Sequence, residues 1–375
     1  MTVRQKATTS TADPRFGYAF PAIRGIQAGR EYYISMCPLR LIPKVFLFNE
    51  EELVPELRAQ RVLNKARIPE MARYVVDNPQ DYVFSALTAS IDAEVRFEPF
   101  GDGDANSRMG TLHVPMEARF IINDGQHRRA AIEKALLEHP DLADETIAIV
   151  FFLDVGLKRC QQMFADLNRY AIRPSRSLGV LYDHRDDHAE LTRLIVLRSD
   201  FFKNIVEMER STLSLRSRKL VTLSALYYAT RDLFDGLELE SREQAAALGQ
   251  EFWEAVASHL AEWRLVRRGK MAAGEVRRDF LHTHGVVLQA LGIVGNSLLN
   301  EKHTALKTRL RPLASIDWSR SNAKLWEGRA MTGGRVSKGG QNVTLTANAI
   351  KRHLKLALTP EERQIERAFK SGRAK

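Results

Sequence analysis

The spacing of apolar residues changes character once along the chain. Up to about residue 186 the apolar positions come mostly in short runs of strand length, broken by polar turns. "EYYISMCPLRLIPKVFLF" reads as two strands, and "YVFSALTASI", "AEVRFEPF", "TLHVPM" and "ARFIIN" as one each. "TIAIVFFLDV" is an unbroken apolar run, the pattern of a buried strand. Between them, "NEEELVPELRAQRVLN", "RIPEMARYVVDNP" and the residues up to His139 carry the helical period, as does "LKRCQQMFADLNRYA". Beyond residue 187 helical patterns take over. They are "DHAELTRLIVLRS", "LVTLSALYYATRDLF", "SREQAAALGQEFWEAVASHL" and "AGEVRRDFLHTHGVVLQALGIVGNSLLNE". Within the last, Gly285 to Leu299 is apolar all round. It is too short and too interrupted by glycine to span a bilayer, which needs about 20 residues, so a buried core helix is expected.

These patterns predict an α+β fold: a mixed sheet with helices, then a mostly helical region. The expected divisions are a flexible arm over 1–20, an α+β domain over 21–186 and a helical domain over 187–300. A basic, Gly-rich segment with a closing helix, "TANAIKRHLKLAL", takes up 301–375.

Charge sharpens the picture. The 375 residues hold 56 Lys and Arg against 46 Asp and Glu, a formal net charge of +10. Between Glu301 and Arg352 there are 11 Lys/Arg and three acids, so +8 falls within 52 residues. Much of that stretch is Gly- and Ser-rich, as in "EGRAMTGGRVSKGGQN", and reads as a flexible basic loop able to follow a phosphate backbone. Arg320, Lys324, Arg329, Arg335 and Lys338 are the candidate DNA contacts. Trp318 and Trp326 flank two of them, an interleaving suited to nucleic acid. Two cysteines, Cys37 and Cys160, exclude a disulfide framework, and the polar N-terminus carries no signal-peptide core, so a cytoplasmic location is expected.

The candidate chemistry sits at the end of an apolar run, in "FIINDGQHRRAAIEKALLEH". Asp124 is expected to cap a helix and Gly125 to allow the tight turn into it. A cap leaves Gln126, His127, Arg128 and Arg129 unexplained. Basic residues in a first helical turn oppose the macrodipole, which makes sense if an anion binds there. Gly125, Gln126, Arg128 and Arg129 are therefore candidate phosphate or nucleotide ligands. If the turn is catalytic, Asp124, His127 and Arg128 are its working residues, with Asp124 holding a divalent ion that bridges phosphates. "FADLNRYAIRPSRS" is a second constellation: residues 156–176 carry five Lys/Arg and one acid. Arg and Ser side chains in a loop are typical phosphate ligands, and Arg169 and Arg176 are expected on DNA. Arg61, Asn64 and Arg67 offer a further phosphate-facing edge.

Other signals carry less. His184 and His188 stand four apart without the Glu that metalloprotease chemistry uses, and "HTH" at 282–284 points its two imidazoles apart; no metal site is expected. Neither a P-loop nor a G-x-S-x-G elbow occurs. Cys37 lies in an apolar strand and reads as a small buried hydrophobe.

Asp124 to Arg128 is the DGQHR signature, which resembles that of a branch of the ParB/sulfiredoxin-like superfamily. "RVLNKARIPEMARYVVDNPQDYVFSALTASID" and "FADLNRYAIRPSRSLGVLYDHRD" are similar to the DndB family, regulatory proteins of DNA phosphorothioate (sulfur) modification systems. The resemblance is specific from about Tyr32 to Asp186 and looser to "LTANAIKRHLKLALTPEE". It implies a ParB-like N-terminal fold, with Asn168 and Arg173 as phosphate ligands beside the signature turn, and a DNA-binding repressor of the modification operon. Operator DNA and other sulfur-modification proteins are the implied partners, with a homodimer if the operator is palindromic and no membrane association. The superfamily also implies the competing reading, an NTPase or nuclease acting at Asp124 to Arg128, with an NTP and Mg2+ as the cofactors.

Overall fold

The computed structural model describes residues 17–46, 66–153, 162–163, 166–167, 174–301 and 305–373. The chain divides into two compact units, residues 1–172 and 173–375. The α+β expectation holds: a mixed sheet lies in the first unit and mostly helices in the second.

Among the described residues, unit 1 builds a seven-stranded sheet in the order β4-β5-β1-β2-β7-β3-β6. The strands are β1 (Gly17–Gln27), β2 (Arg30–Pro38), β3 (Leu87–Asp92), β4 (Arg96–Pro99), β5 (Met109–Pro115), β6 (Arg119–Asp124) and β7 (Thr146–Leu153). β7 runs parallel to β3 and antiparallel to β2, so the apolar "TIAIVFFL" is an interior strand. Its residues Ile147, Ile149 and Phe151 alternate onto the buried face, as a two-residue period requires. Two helices, α1 (Arg67–Asp77) and α2 (Gln126–Glu138), contribute Val75, Ile132 and Ala135 to the same core.

Two expectations in this unit are corrected. The arm expected over residues 1–20 ends sooner: from Gly17 the chain is β1, paired along β5 and β2, while residues 1–16 lie outside the described set. The two strands expected in "EYYISMCPLRLIPKVFLF" are one. After Pro38 the chain turns into a 3-10 turn, Leu39–Leu41, and a four-residue helix, Ile42–Val45, with proline in its first turn. A proline has no N–H for a ladder and its φ suits a first helical turn, so the apolar run could not continue as strand.

Unit 2 contains α3 (Arg176–Tyr182), α4 (Asp187–Arg198), α5 (Leu223–Leu233), α6 (Arg242–His259), α7 (Ala273–Asp279), α8 (Gly285–Leu299), α9 (Gly340–His353) and α10 (Pro360–Arg373). α8 has the bounds of the all-round apolar segment and is its central helix, with Val287, Leu288, Leu291 and Val294 fully buried. No helix of the described residues is long and apolar enough to cross a membrane. One continuous core runs from Val180 to Leu356 and includes residues from both sides of position 300.

Three sequence expectations change here. The long pattern from Ala273 is interrupted between α7 and α8, because Leu281 N–H bonds to Trp318 O and Phe280 bridges to Ser319. The Gly-rich stretch is an ordered hairpin, not a flexible loop. Met331–Thr332 pairs with Arg335–Val336 across Gly333 and Gly334, both at positive φ, the geometry of a tight two-residue turn. And α9 does not close the chain. "TPEE" starts α10, where Thr359 Oγ1 accepts from Glu362 N–H at 3.2 Å and Glu362 Oε2 from Thr359 N–H at 2.9 Å, a reciprocal capping box.

The unit 2 core also holds a buried polar relay. Trp263 Nε1–H donates to His282 Nδ1 at 3.1 Å, so the ring proton sits on Nε2, facing Glu262 Oε2 at 3.1 Å. Burial lowers the pKa of His282, against the opposing pull of Glu262. A histidine with a depressed folded pKa is protonated more readily when unfolded. Its stabilising effect is thus present above the ordinary value of about 6.5 and is lost as pH falls below it. The denaturation midpoint of unit 2 is expected to drop between about pH 7 and 5.5, and His282→Gln to flatten that dependence. An equally steep profile in the variant rules out His282 as the source.

Candidate functional site

The signature turn lies where β6 meets α2. Asp124 is the last residue of β6, opposite Thr88 of β3. It does not cap the helix, as the sequence had suggested. Gly125 occupies the cap position at φ 105° and ψ 15°, and no side chain accepts a cap hydrogen bond there. A glycine is required twice over. The left-handed backbone disfavours any Cβ, and a Cβ would lie 2.4 Å from Leu87 Cδ2.

With Asp124 freed from capping, its carboxylate accepts from Arg128 Nη2 at 2.8 Å, and the same nitrogen reaches Ala86 O at 3.1 Å. Arg128 thus folds back over Gly125 and braces the turn against the entry to β3. Arg128 Nε is buried with no hydrogen-bond partner among the described residues. Gln126 is buried and donates to Ile122 O at 3.2 Å. Arg129 is also buried. Its Nε donates to Phe46 O at 3.0 Å, Nη2 to Pro43 O at 3.3 Å and Nη1 to Glu133 Oε2 at 2.5 Å. Three of the four residues a cap could not explain, Gln126, Arg128 and Arg129, therefore brace the structure. Arg129 ties α2 to the turn after β2, which explains a guanidinium at that position without a ligand.

His127 and Arg128 keep a different setting. Partial burial first, then the charges of Arg67 and Arg128, lower the pKa of His127, with Asp124 opposing. The imidazole is therefore neutral at pH 7, flanked by two guanidiniums. Arg67, the first residue of α1, was legible only as an edge in the sequence; the fold brings it to the turn. Arg61, Asn64, Asn168, Arg169 and Arg173 lie outside the described residues. Among the described residues no three His, Cys, Asp or Glu side chains converge as a metal site. Cys37 is fully buried in β2, and burial pushes its thiol up to about 11, so it is no thiolate at neutral pH.

The expected DNA contacts of unit 2 divide. Arg329 is 7% exposed, in a bidentate pair with Glu366 (2.7 and 3.0 Å), and donates to Leu345 O. Its guanidinium also covers the Phe369 ring at 4.6 Å. It is a core cation, and its assignment to DNA is withdrawn. Trp318 and Trp326 stack on each other at 5.3 Å inside the core, so neither presents a face to a base. Arg320 is half-buried and donates to Arg278 O at 3.2 Å. Arg176, Lys324, Arg335 and Lys338 are exposed, and none pairs with a carboxylate among the described residues. Two of them, Arg176 and Lys338, come together on Tyr228, with Arg231 as a third cation. Sequence reasoning missed Tyr228 and Arg231. The available signal was their spacing of three on a helix, which places both on one face.

A mixed α/β unit with a braced strand–glycine–helix turn, followed by a helical unit with exposed cations that pair with no carboxylate among the described residues, is the class of protein that these features define. The chain belongs to the DndB family, DNA-sulfur modification-associated, whose model matches residues 20–357. No curated protein and no solved structure matches it.

Proposed function

We propose that this protein is a DNA-binding regulator of a DNA phosphorothioate modification system, acting as a repressor of the operon that encodes it. The family supplies the association with sulfur modification. The observation that carries DNA binding is the set of exposed cations in unit 2, Arg176, Lys324, Arg335 and Lys338, which lack carboxylate partners among the described residues. Unpaired surface cations bind a phosphate backbone by releasing its counterions, so affinity falls with salt by about 0.9 log units per log unit for each phosphate neutralised. A mobility-shift titration with operator DNA at several salt concentrations is expected to show tight binding at low salt and a steep loss as salt rises. Absence of binding, or binding indifferent to salt, defeats the proposal. A palindromic operator would call for a homodimer, with its half-sites one helical turn apart.

The signature turn supports a second reading, phosphate handling by an NTPase or nuclease. Its support is the convergence of Arg67 and Arg128 on a neutral His127, a group able to move a proton near neutral pH. Nucleotide turnover that disappears in Asp124→Ala and in His127→Ala is the expected result of that reading. DNA binding without turnover leaves the regulator alone.

A further inference from the structure

We propose that Arg176, Arg231 and Lys338, gathered on the ring of Tyr228, form a site that grips a backbone phosphate of DNA. The proposal rests on the DNA-binding reading and gives it a location. The three cations come from widely separated parts of the sequence. Arg176 opens α3, Arg231 lies one turn after Tyr228 on α5, and Lys338 precedes α9. Their charged groups lie 5.1, 5.4 and 4.1 Å from the centre of the same ring.

A tyrosine face attracts each cation, but it does nothing to reduce the repulsion among them. One carboxylate stands by, Asp232, and it is already engaged. It accepts from Arg231 Nε and Nη2 at 3.1 and 3.0 Å and from Gln289 Nε2 at 2.8 Å. Three cations against one carboxylate leave a surplus of two positive charges. The start of α8 adds to it. A Cβ built on Gly285, the first residue of this 15-residue helix, would lie 3.6 Å from Lys338 Nζ. His284 before it offers no side-chain cap, so the ammonium sits at the positive end of the helix dipole. The pKa of Lys338 is held down by desolvation, with Arg231 and Arg176 adding to the effect and Asp232 opposing it.

An anion standing among the cations would attract each of them and offset their mutual repulsion. A phosphate suits this set of donors, because its oxygens can accept from guanidiniums and an ammonium together. Arg176, Arg231 and Lys338 are exposed residues, so an extended polyanion can reach them. The competing explanation is structural: the cations merely tether three segments to Tyr228.

The test is equilibrium binding of the full chain to operator and to unrelated duplex DNA across a range of salt, with Arg176→Gln, Lys338→Gln, the double variant and Tyr228→Phe. Each single change is expected to weaken binding roughly tenfold at low salt and to lower the slope of log affinity against log salt by about 0.9. Operator and unrelated DNA should be affected equally, since a phosphate contact carries no sequence information. Tyr228→Phe keeps the ring and should bind as the parent does. Melting temperatures, measured alongside, should stay near the parent's because Arg176 and Lys338 are exposed and Tyr228→Phe keeps the half-buried ring. Variants that bind with the parent's slope overturn the site and leave the regulator standing. Lower melting temperatures with an unchanged slope assign the cluster to structure alone. Inorganic phosphate that stabilises the parent but not the variants, with the DNA slope unchanged, makes it a small-anion site and also overturns the proposal. A parent chain that binds no duplex at low salt defeats both site and regulator.

Discussion

Arg329→Ala will destabilise unit 2 by about 3–4 kcal/mol, the range for removing one partner of a buried ion pair. The substitution leaves the Glu366 carboxylate, 5% exposed, with Arg352 at 3.0 Å as its remaining ion-pair partner among the described residues. Burial pushes the Glu366 carboxyl up, and the hydrogen bond and charge of Arg329, aided by Arg352 and Lys370, overcome it and hold its pKa below the ordinary value. Losing Arg329 removes the larger part of that compensation, together with the bond to Leu345 O and the contact with Phe369. A drop of roughly 10 °C in melting temperature is expected for a unit of this size. All four tryptophans, 253, 263, 318 and 326, lie in unit 2, so their fluorescence reports the transition directly. The folded variant should bind DNA with the parent's salt slope, unlike Lys338→Gln. Weakened DNA binding with an unchanged melting temperature would restore Arg329 as a DNA contact and contradict its burial.

Gly125→Ala should be nearly as damaging to unit 1, by about 2–4 kcal/mol. About 1–2 kcal/mol comes from holding an L-residue in the left-handed region, and the rest from overlap with Leu87. Leu87 is fully buried, so its methyl has little room to retreat. Arg128 has no room either, since the new Cβ would lie 3.0 Å from its Nη2 and 3.2 Å from its Nε. The braces to Asp124 and Ala86 are then lost with the turn. Hydrogen exchange of α2 should rise, and nucleotide handling, if present, should fall. Leu87→Ala combined with Gly125→Ala tests the overlap. The double variant should cost less than the sum of the two singles, because the cavity accepts the new methyl. Strict additivity would leave the backbone conformation as the whole cause.

The strand–glycine–helix turn could be read directly because it is local. Apolar alternation ends at Asp124, the helical period begins at Gln126, and a glycine stands between. The roles of the polar residues in it could not be read that way. Arg128 and Arg129 are adjacent and identical in type. One folds back on Asp124, while the other reaches Phe46 and Pro43, more than 80 residues earlier. Nothing within the motif distinguishes them, since the difference lies in which carbonyls the fold places within reach. His127 is a similar case: Arg67, which helps keep it neutral, is 60 residues away along the chain.

Charge counting failed for a related reason. The surplus between Glu301 and Arg352 counts Arg329, Lys351 and Arg352 as unpaired. Their acids, Glu362 and Glu366, lie beyond that window on α10 and pair with all three, Glu366 with both arginines. Conversely, Arg231 escaped notice because the cations that join it on Tyr228 are 55 and 107 residues away.

From local patterns alone came the α+β division, the buried interior strand β7, the bounds of the apolar helix α8 and the position of the glycine turn. Each follows from side-chain period, proline geometry or backbone sterics, which act over a few residues. The assignment of Arg128 and Arg129 to braces, of Arg329 to a core ion pair and of Arg176 and Arg231 to the cluster on Tyr228 came from the fold. A guanidinium's partner is chosen by distance in space, and a long, flexible side chain reaches whichever acceptor the packed elements bring near it.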